Sequence, residues 1–164
     1  MDEISRILEE AWKQNKMEAE NGGHDFADVL IIGPTGTGKS AVIEEWLKKH
    51  SEDIQPYYIL ANTRPVPSWI NGVEIYFGSN ELERLDRKNV VMIIDHFDLT
   101  RSEARKHLLD LVTNRKAVVR LDGQETPVYN LKLIVATAWP GSHFGYEELS
   151  EEDIKAFKHV IRYK

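Results

Sequence analysis

The sequence predicts an α/β fold in which a mostly parallel sheet is covered by helices on both faces. Short apolar runs at 29–32, 90–94 and 131–138, the last broken only by Lys132, read as strands buried on both sides. Segments with apolar residues three and four positions apart separate them, which is the spacing of helices packed on a sheet. A pair of alternating stretches around Asp122-Gly123 inserts a hairpin into the simple alternation.

The elements follow in order. Residues 2–20 read as a helix, because Ile4, Ile7, Leu8, Ala11 and Trp12 fall on one face. "NGGHDF" (21–26) ends it, and "DVLIIG" (28–33) is the first buried strand. Residues 39–50 form a helix with Val42, Ile43, Trp46 and Leu47 on one side, followed by a strand at 56–61. The stretch 62–72 is irregular, since Pro65, Pro67 and Gly72 sustain neither helix nor central strand. A strand at 73–78, a short charged helix at 81–88 and the strand "VVMIID" (90–95) come next. Residues 101–115 form a helix turning Leu108, Leu109 and Val112 inward; 117–130 is the hairpin and 131–138 a central strand. The last stretch, from Tyr146, holds a short helix and an edge strand. The 164 residues suffice for one domain, 1–164, with a real core.

Composition narrows the class. Apolar residues make up 41% and charged residues 29%, ordinary for a globular protein, and no apolar run approaches the ~20 residues that cross a bilayer. The acidic, amphipathic start "MDEISRILEE" lacks the features of a signal peptide, so a cytoplasmic location is the expectation. Absence of cysteine excludes disulfides and thiolate zinc sites, and the histidines do not cluster at metal-ligand spacing. A net charge of −6 argues against indiscriminate nucleic-acid binding; the basic cluster Arg101, Arg105, Lys106, Arg115, Lys116 and Arg120 reads as a solvated helix face or as a local patch.

One motif carries chemistry. "GPTGTGKS", running Gly33, Pro34, Thr35, Gly36, Thr37, Gly38, Lys39, Ser40, fits G-x-x-x-x-G-K-[ST] at every position, after a strand and before a helix. Its glycines let successive N–H groups turn inward onto phosphate oxygens, and the helix that continues through Ala41 adds its positive end. Lys39 reaches the β- and γ-phosphates, and the Ser40 hydroxyl takes a position on Mg²⁺. A nucleoside triphosphate with Mg²⁺ is the expected ligand.

Asp95 ends an apolar strand, where it can hold the same Mg²⁺ through water. The next residue is His96. Water attack on a γ-phosphate benefits from a group that orients the water and accepts its proton. Three arrangements fit the sequence: His96 as a weak water-positioning group, Asp98 or a partner's group in that role, or no effective base.

These residues resemble the core of an AAA+ ATPase, closest to the MoxR-type and Clp-type branches. "DVLIIGPTGTGKS" looks like the family's first strand and Walker A loop, and "VVMIID" is similar to its Walker B strand. "LLDLVTNRKAVVRLDGQETPVYNLKLIVATAWP" resembles its run of helix, hairpin and strand. The resemblance implies a three-layer P-loop NTPase with a five-stranded sheet in the order 5-1-4-3-2, ATP as the nucleotide, and assembly with copies of itself or with an AAA+ partner. It also marks departures. Thr137 is the nearest polar group to the expected sensor position, where Trp139 stands, and as a strand threonine it also reads as structural. The arginine-finger position falls on Ala156, and the family's helical lid has no counterpart in the sequence. Phe26 reads as an adenine contact or a core aromatic, and Trp69 and Ile70 as a pore loop or a loop anchor. Arg64 and Arg101 are weaker candidates for a finger acting across an interface. Whether the chain hydrolyses ATP stays open. A nucleotide-gated module with weak or partner-dependent hydrolysis stands beside an active ring ATPase that remodels protein or nucleic acid.

Overall fold

The computed structural model describes residues 3–23, 25–34, 38–61, 73–75, 89–99, 105, 109, 112–113, 118–121, 124–127, 131–139 and 149–162. Expectations for Thr35, Gly36 and Thr37, for Arg64, Trp69, Ile70 and Arg101, and for the helix at 81–88 lie outside these residues.

A six-stranded sheet forms the centre: β1 (Val29–Ile32), β2 (Ile54–Ala61), β3 (Val73–Ile75), β4 (Asn89–Asp95), β7 (Leu131–Ala138) and β8 (His159–Arg162). Its spatial order is β3-β2-β4-β7-β1-β8. All neighbours pair in parallel except β3, which runs antiparallel to the end of β2. The expected five strands are therefore one too few, because Val73–Ile75 pairs with Ile59–Ala61 at the sheet edge. Strand β2 also starts at Ile54, two residues before the expected Pro56. The proline is tolerated there because β3 pairs only with the far end of β2. Strands β5 (Val118–Leu121) and β6 (Gln124–Pro127) make a separate antiparallel hairpin. Leu121 pairs with Gln124; the expected turn at Asp122 and Gly123 lies outside the described residues.

Both sheet faces are covered. On one side Val29, Ile31, Val91, Ile93, Leu133 and Val135 pack against α1 (Glu3–Glu20) and α2 (Lys39–Lys49). On the other, Leu30, Val90, Met92, Ile94, Ile134 and Ala136 pack with Phe97, Val112 and Phe157. Residues Arg105, Leu109, Val112 and Thr113 are helical, and α3 (Glu151–Lys155) leads into β8. This alternation of two apolar sets along each strand is what a doubly covered sheet requires.

Helix α1 is fixed by more than its apolar stripe. Ile4, Leu8, Ala11 and Trp12 are buried, and Trp12 meets Trp46 of α2 edge-on at 6.1 Å. Asn15, fully buried, continues the stripe with a polar group. Its amide donates to the Ala27 carbonyl at 2.9 Å and accepts from the Ala27 N–H at 2.7 Å. The side chain thus pairs both polar groups of the residue two positions ahead of β1, as a neighbouring strand would. At the far end of α2, His50 Nε2 lies 2.6 Å from Glu9 Oε1.

Replacing Asn15 with Ala strands a buried donor and a buried acceptor of Ala27. The expected loss is about 2–4 kcal/mol of unfolding free energy in denaturant titration. The exposed Glu10→Ala is expected to stay within about 0.5 kcal/mol.

Candidate functional site

The parallel register brings three strand ends to one edge. Ile32 of β1 lies beside Ala138 of β7, and the Gly33 N–H donates to the Ala138 carbonyl at 3.0 Å. Chain leaving β1 therefore enters the glycine-rich segment with its first residue anchored. Gly38 then opens α2 in a left-handed conformation, φ 82°, which a side chain would strain although the space around it is open. The N-cap residue of α2 is Gly38, which has no side chain to accept from the N–H groups of the first turn.

Lys39 is half-buried and donates to the Gly33 carbonyl and, at 3.4 Å, to that of Pro34. Burial lowers its pKa from the ordinary lysine value, and Asp95 and Asp98 oppose that shift by attraction.

Asp95 closes β4. Its Oδ1 accepts from the Thr137 hydroxyl at 2.8 Å, and the same hydroxyl accepts from the His96 N–H at 3.2 Å. A hydroxyl has one proton to give, so Thr137 is spent on orienting Asp95 and has none left for a phosphate in this arrangement. Ser40, Ile43, Glu44, Ile93, Asp95 and Thr137 line one cavity of about 210 Å³. That volume is smaller than the ~300–1,000 Å³ of small-molecule sites. It suits a terminal phosphate, a cation and a few waters rather than a whole nucleotide.

His96 does not line this cavity. Its φ is 55°, the one non-glycine residue in the left-handed region among the described residues. Its Nε2 lies 3.8 Å from Asp95 Oδ2. Asp98, weighed in the sequence as a substitute base, is fully buried, and its two carboxylate oxygens have no hydrogen-bond partner among the described residues. Burial pushes its pKa up; the backbone N–H groups of Asp98 and Trp139, then the charges of His96 and Arg105, oppose the shift. A buried group with no exposed oxygen cannot meet an attacking water in this conformation.

The remaining expected positions are also placed. Ala156 caps the C-terminus of α3, with its methyl packed on the core. Lys158 beside it pairs with Asp25. Pro34 follows β1 by two residues, Ala41 lies in the first turn of α2, and Phe26 precedes β1. Two contributors were not anticipated. Glu44 carries no signal beyond its place one turn after Ser40, and Arg105 was read only as part of a basic cluster. Among the described residues no group of three or more His, Cys, Asp or Glu side chains is placed to hold a metal. Hard oxygen donors are present as a pair, Ser40 and Asp95, which suits Mg²⁺, an ion usually held by one or two protein ligands plus phosphate oxygens and water.

Comparison with known proteins agrees at the level of fold. A solved structure of a candidate ATPase from Cytophaga hutchinsonii superposes over 98% of this chain with a TM-score of 0.58 and 16% identity. The chain spans 50% of that protein's length. No family model matches the sequence, and no curated protein matches it. The class defined is thus an α/β fold with a parallel sheet between helices, shared with that structure. Among the described residues, no helix is long and apolar enough to cross a membrane.

Two outcomes test the local physics. A left-handed conformation costs a β-branched residue roughly 1–2 kcal/mol. His96→Val is expected to lose about that much in denaturant titration, whereas His96→Gly keeps wild-type stability or exceeds it. For Asp98, a raised folded-state pKa means that its neutral form favours folding. That contribution is complete below the ordinary aspartate value of 3.8 and is lost as pH rises through the folded pKa. Asp98→Asn is therefore expected to raise the thermal midpoint at pH 7, with the advantage fading toward pH 3.5 in scans across that range.

Proposed function

We propose that this chain binds Mg·ATP as an AAA+-like P-loop domain, and that the bound nucleotide gates assembly with further copies or an AAA+ partner. The observation that carries this is the meeting of Ser40, Asp95 and Thr137 around one cavity at the uncapped start of α2, with Lys39 beside it. Gly33 to Ser40 would cradle the phosphates, and Lys39 would leave the Gly33 carbonyl for the β- and γ-phosphates. Ser40 and Asp95 would hold Mg²⁺, whose charge, once bound, offsets that of the phosphate oxygens. The parallel strands support the family reading: numbered along the chain, β8-β1-β7-β4-β2 reads 5-1-4-3-2.

Binding is favoured over brisk hydrolysis by three placements. His96 lies outside the cavity lining, Asp98 is buried, and Ala156 is turned into the core where a finger would project. An arginine finger contributes about 10³–10⁵ in rate, so a domain without one turns over slowly unless a partner supplies it. The resemblance to ATPases extends to a candidate ATPase of half-matching length, which suits a nucleotide-binding core.

Titration calorimetry with a non-hydrolysable ATP analogue and Mg²⁺ tests the reading. The wild type is expected to bind, and Lys39→Ala to bind about 10–100-fold more weakly, the worth of a charge-assisted hydrogen bond. Absence of binding by the wild type overturns it. Phosphate release from Mg·ATP that disappears in Lys39→Ala would instead establish the active ATPase.

A further inference from the structure

We propose that Arg105 is a positioning residue for the Mg²⁺-binding end of β4, acting as a strut between the turn after Asp95 and helix α3; the inference rests on the Mg·nucleotide reading above. The turn needs support. His96 is held in a left-handed conformation immediately before a 3-10 turn at Phe97–Leu99, and such backbone persists only where the surroundings over-determine it. Thr137 fixes the turn at its start, through the His96 N–H. The other end is held by Arg105.

Arg105 is 7% exposed, a buried cation that does not face solvent. One guanidinium nitrogen donates to the Asp98 carbonyl at 3.1 Å, and another to Asp153 Oδ2 at 3.4 Å. Its guanidinium carbon lies 5.8 Å from the centre of the Phe97 ring. Asp153 is itself committed: its carboxylate accepts from the Ser150 N–H in the capping box that starts α3. One planar fork therefore spans the post-β4 turn and α3. Phe157, just past α3, packs edge-on against Phe97 at 5.8 Å and reinforces the same junction.

The geometry asks for arginine. A lysine ammonium is a compact point charge that cannot span two acceptors in one plane. Nor does the contact serve merely to offset the Asp98 charge, since the bond that Arg105 makes is to the Asp98 carbonyl. The strut fixes backbone position three residues beyond Asp95. Outer-shell supports of a metal ligand typically matter by about 10–100-fold in metal affinity or activity.

The test separates positioning from general stability. Binding of a fluorescent non-hydrolysable ATP analogue is titrated against Mg²⁺ for wild type, Arg105→Lys, Arg105→Met, Asp153→Asn and the Arg105→Met/Asp153→Asn double variant. Thermal midpoints are recorded in parallel. Asp153→Asn keeps the oxygen that caps Ser150 while removing the charge that holds the fork, so it reports even if Arg105→Met folds poorly. Loss of the strut is expected to raise the Mg²⁺ half-saturation about tenfold, with Mg²⁺-free nucleotide binding unchanged. Arg105→Lys is expected to recover little, and the double variant to fall short of the sum of the singles. Variants that lower the thermal midpoint but keep Mg²⁺ half-saturation within about twofold of wild type overturn the strut. A wild type that binds no nucleotide overturns the reading beneath it instead.

Discussion

The register of β4 against β7 decides what the edge of this sheet can do. Val90 lies beside Leu131, but Val91 lies beside Leu133, so β7 carries one extra residue, Lys132. Leu131 consequently packs with one core and Leu133 with the other, although they stand two apart in a strand. The bulge resets every later pairing by one residue. With it, Ile94 faces Ala136 and Asp95 comes beside Thr137. Without it, Asp95 would lie level with Ala136, whose methyl belongs to the opposite face. The hydroxyl that orients Asp95 therefore depends on an irregularity some 17 Å away, at ~3.3 Å per residue.

The α1–α2 side supplies the second fixed point. Helix α2 must present Lys39 and Ser40 to the end of β4, and its roll is set where Trp46 meets Trp12. Helix α1 is in turn locked lengthwise by Asn15 on Ala27, two residues before β1. A shift of α1 along its axis would break two buried hydrogen bonds at once, whereas apolar contacts alone would let it slide at little cost. Asp28 serves similarly between β1 and its neighbours, accepting from the Ile134 N–H through its side chain and from the His159 N–H through its carbonyl.

Much of this was legible in the sequence, and the illegible part has a common cause. The buried strands, the amphipathic face of α1 and the β5–β6 pair are local patterns, readable because burial and pairing impose a period on the chain. Gly33, Lys39, Ser40, Asp95 and Thr137 are candidates from motif and strand-end position, and the structure places them at one edge of the sheet. Strand β3 was recognised as a strand, yet its place in the sheet depends on a distant partner. The Lys132 bulge looked like an interruption of an apolar run, because a bulge is defined by the strand opposite. Asn15 fits the helical stripe by spacing and was hidden by polarity. Arg105 was read as part of a basic cluster, since its acceptors at Asp98 and Asp153 are seven and forty-eight residues away.

Departures from local rules are not spread evenly through this fold. A helix start without a side-chain cap, a lysine against two carbonyls, a left-handed histidine and a buried aspartate whose folded-state pKa is raised all lie at the C-terminal edge of β1 and β4. Away from that edge the described chain departs at two places, the Lys132 bulge and the buried indole N–H of Trp46 with no hydrogen-bond partner among the described residues, while apolar faces are buried, the α3 start has a complete capping box, and buried Asn15 is satisfied. Each departure costs of order 1–3 kcal/mol, and a fold with only ~5–15 kcal/mol of net stability does not gather several at one edge without use for them. In a parallel α/β sheet that edge is where ligands bind, because strand ends and helix starts converge there. The concentration of strain and the direction of the helix dipole thus point to the same few residues, independently of the motif that first named them.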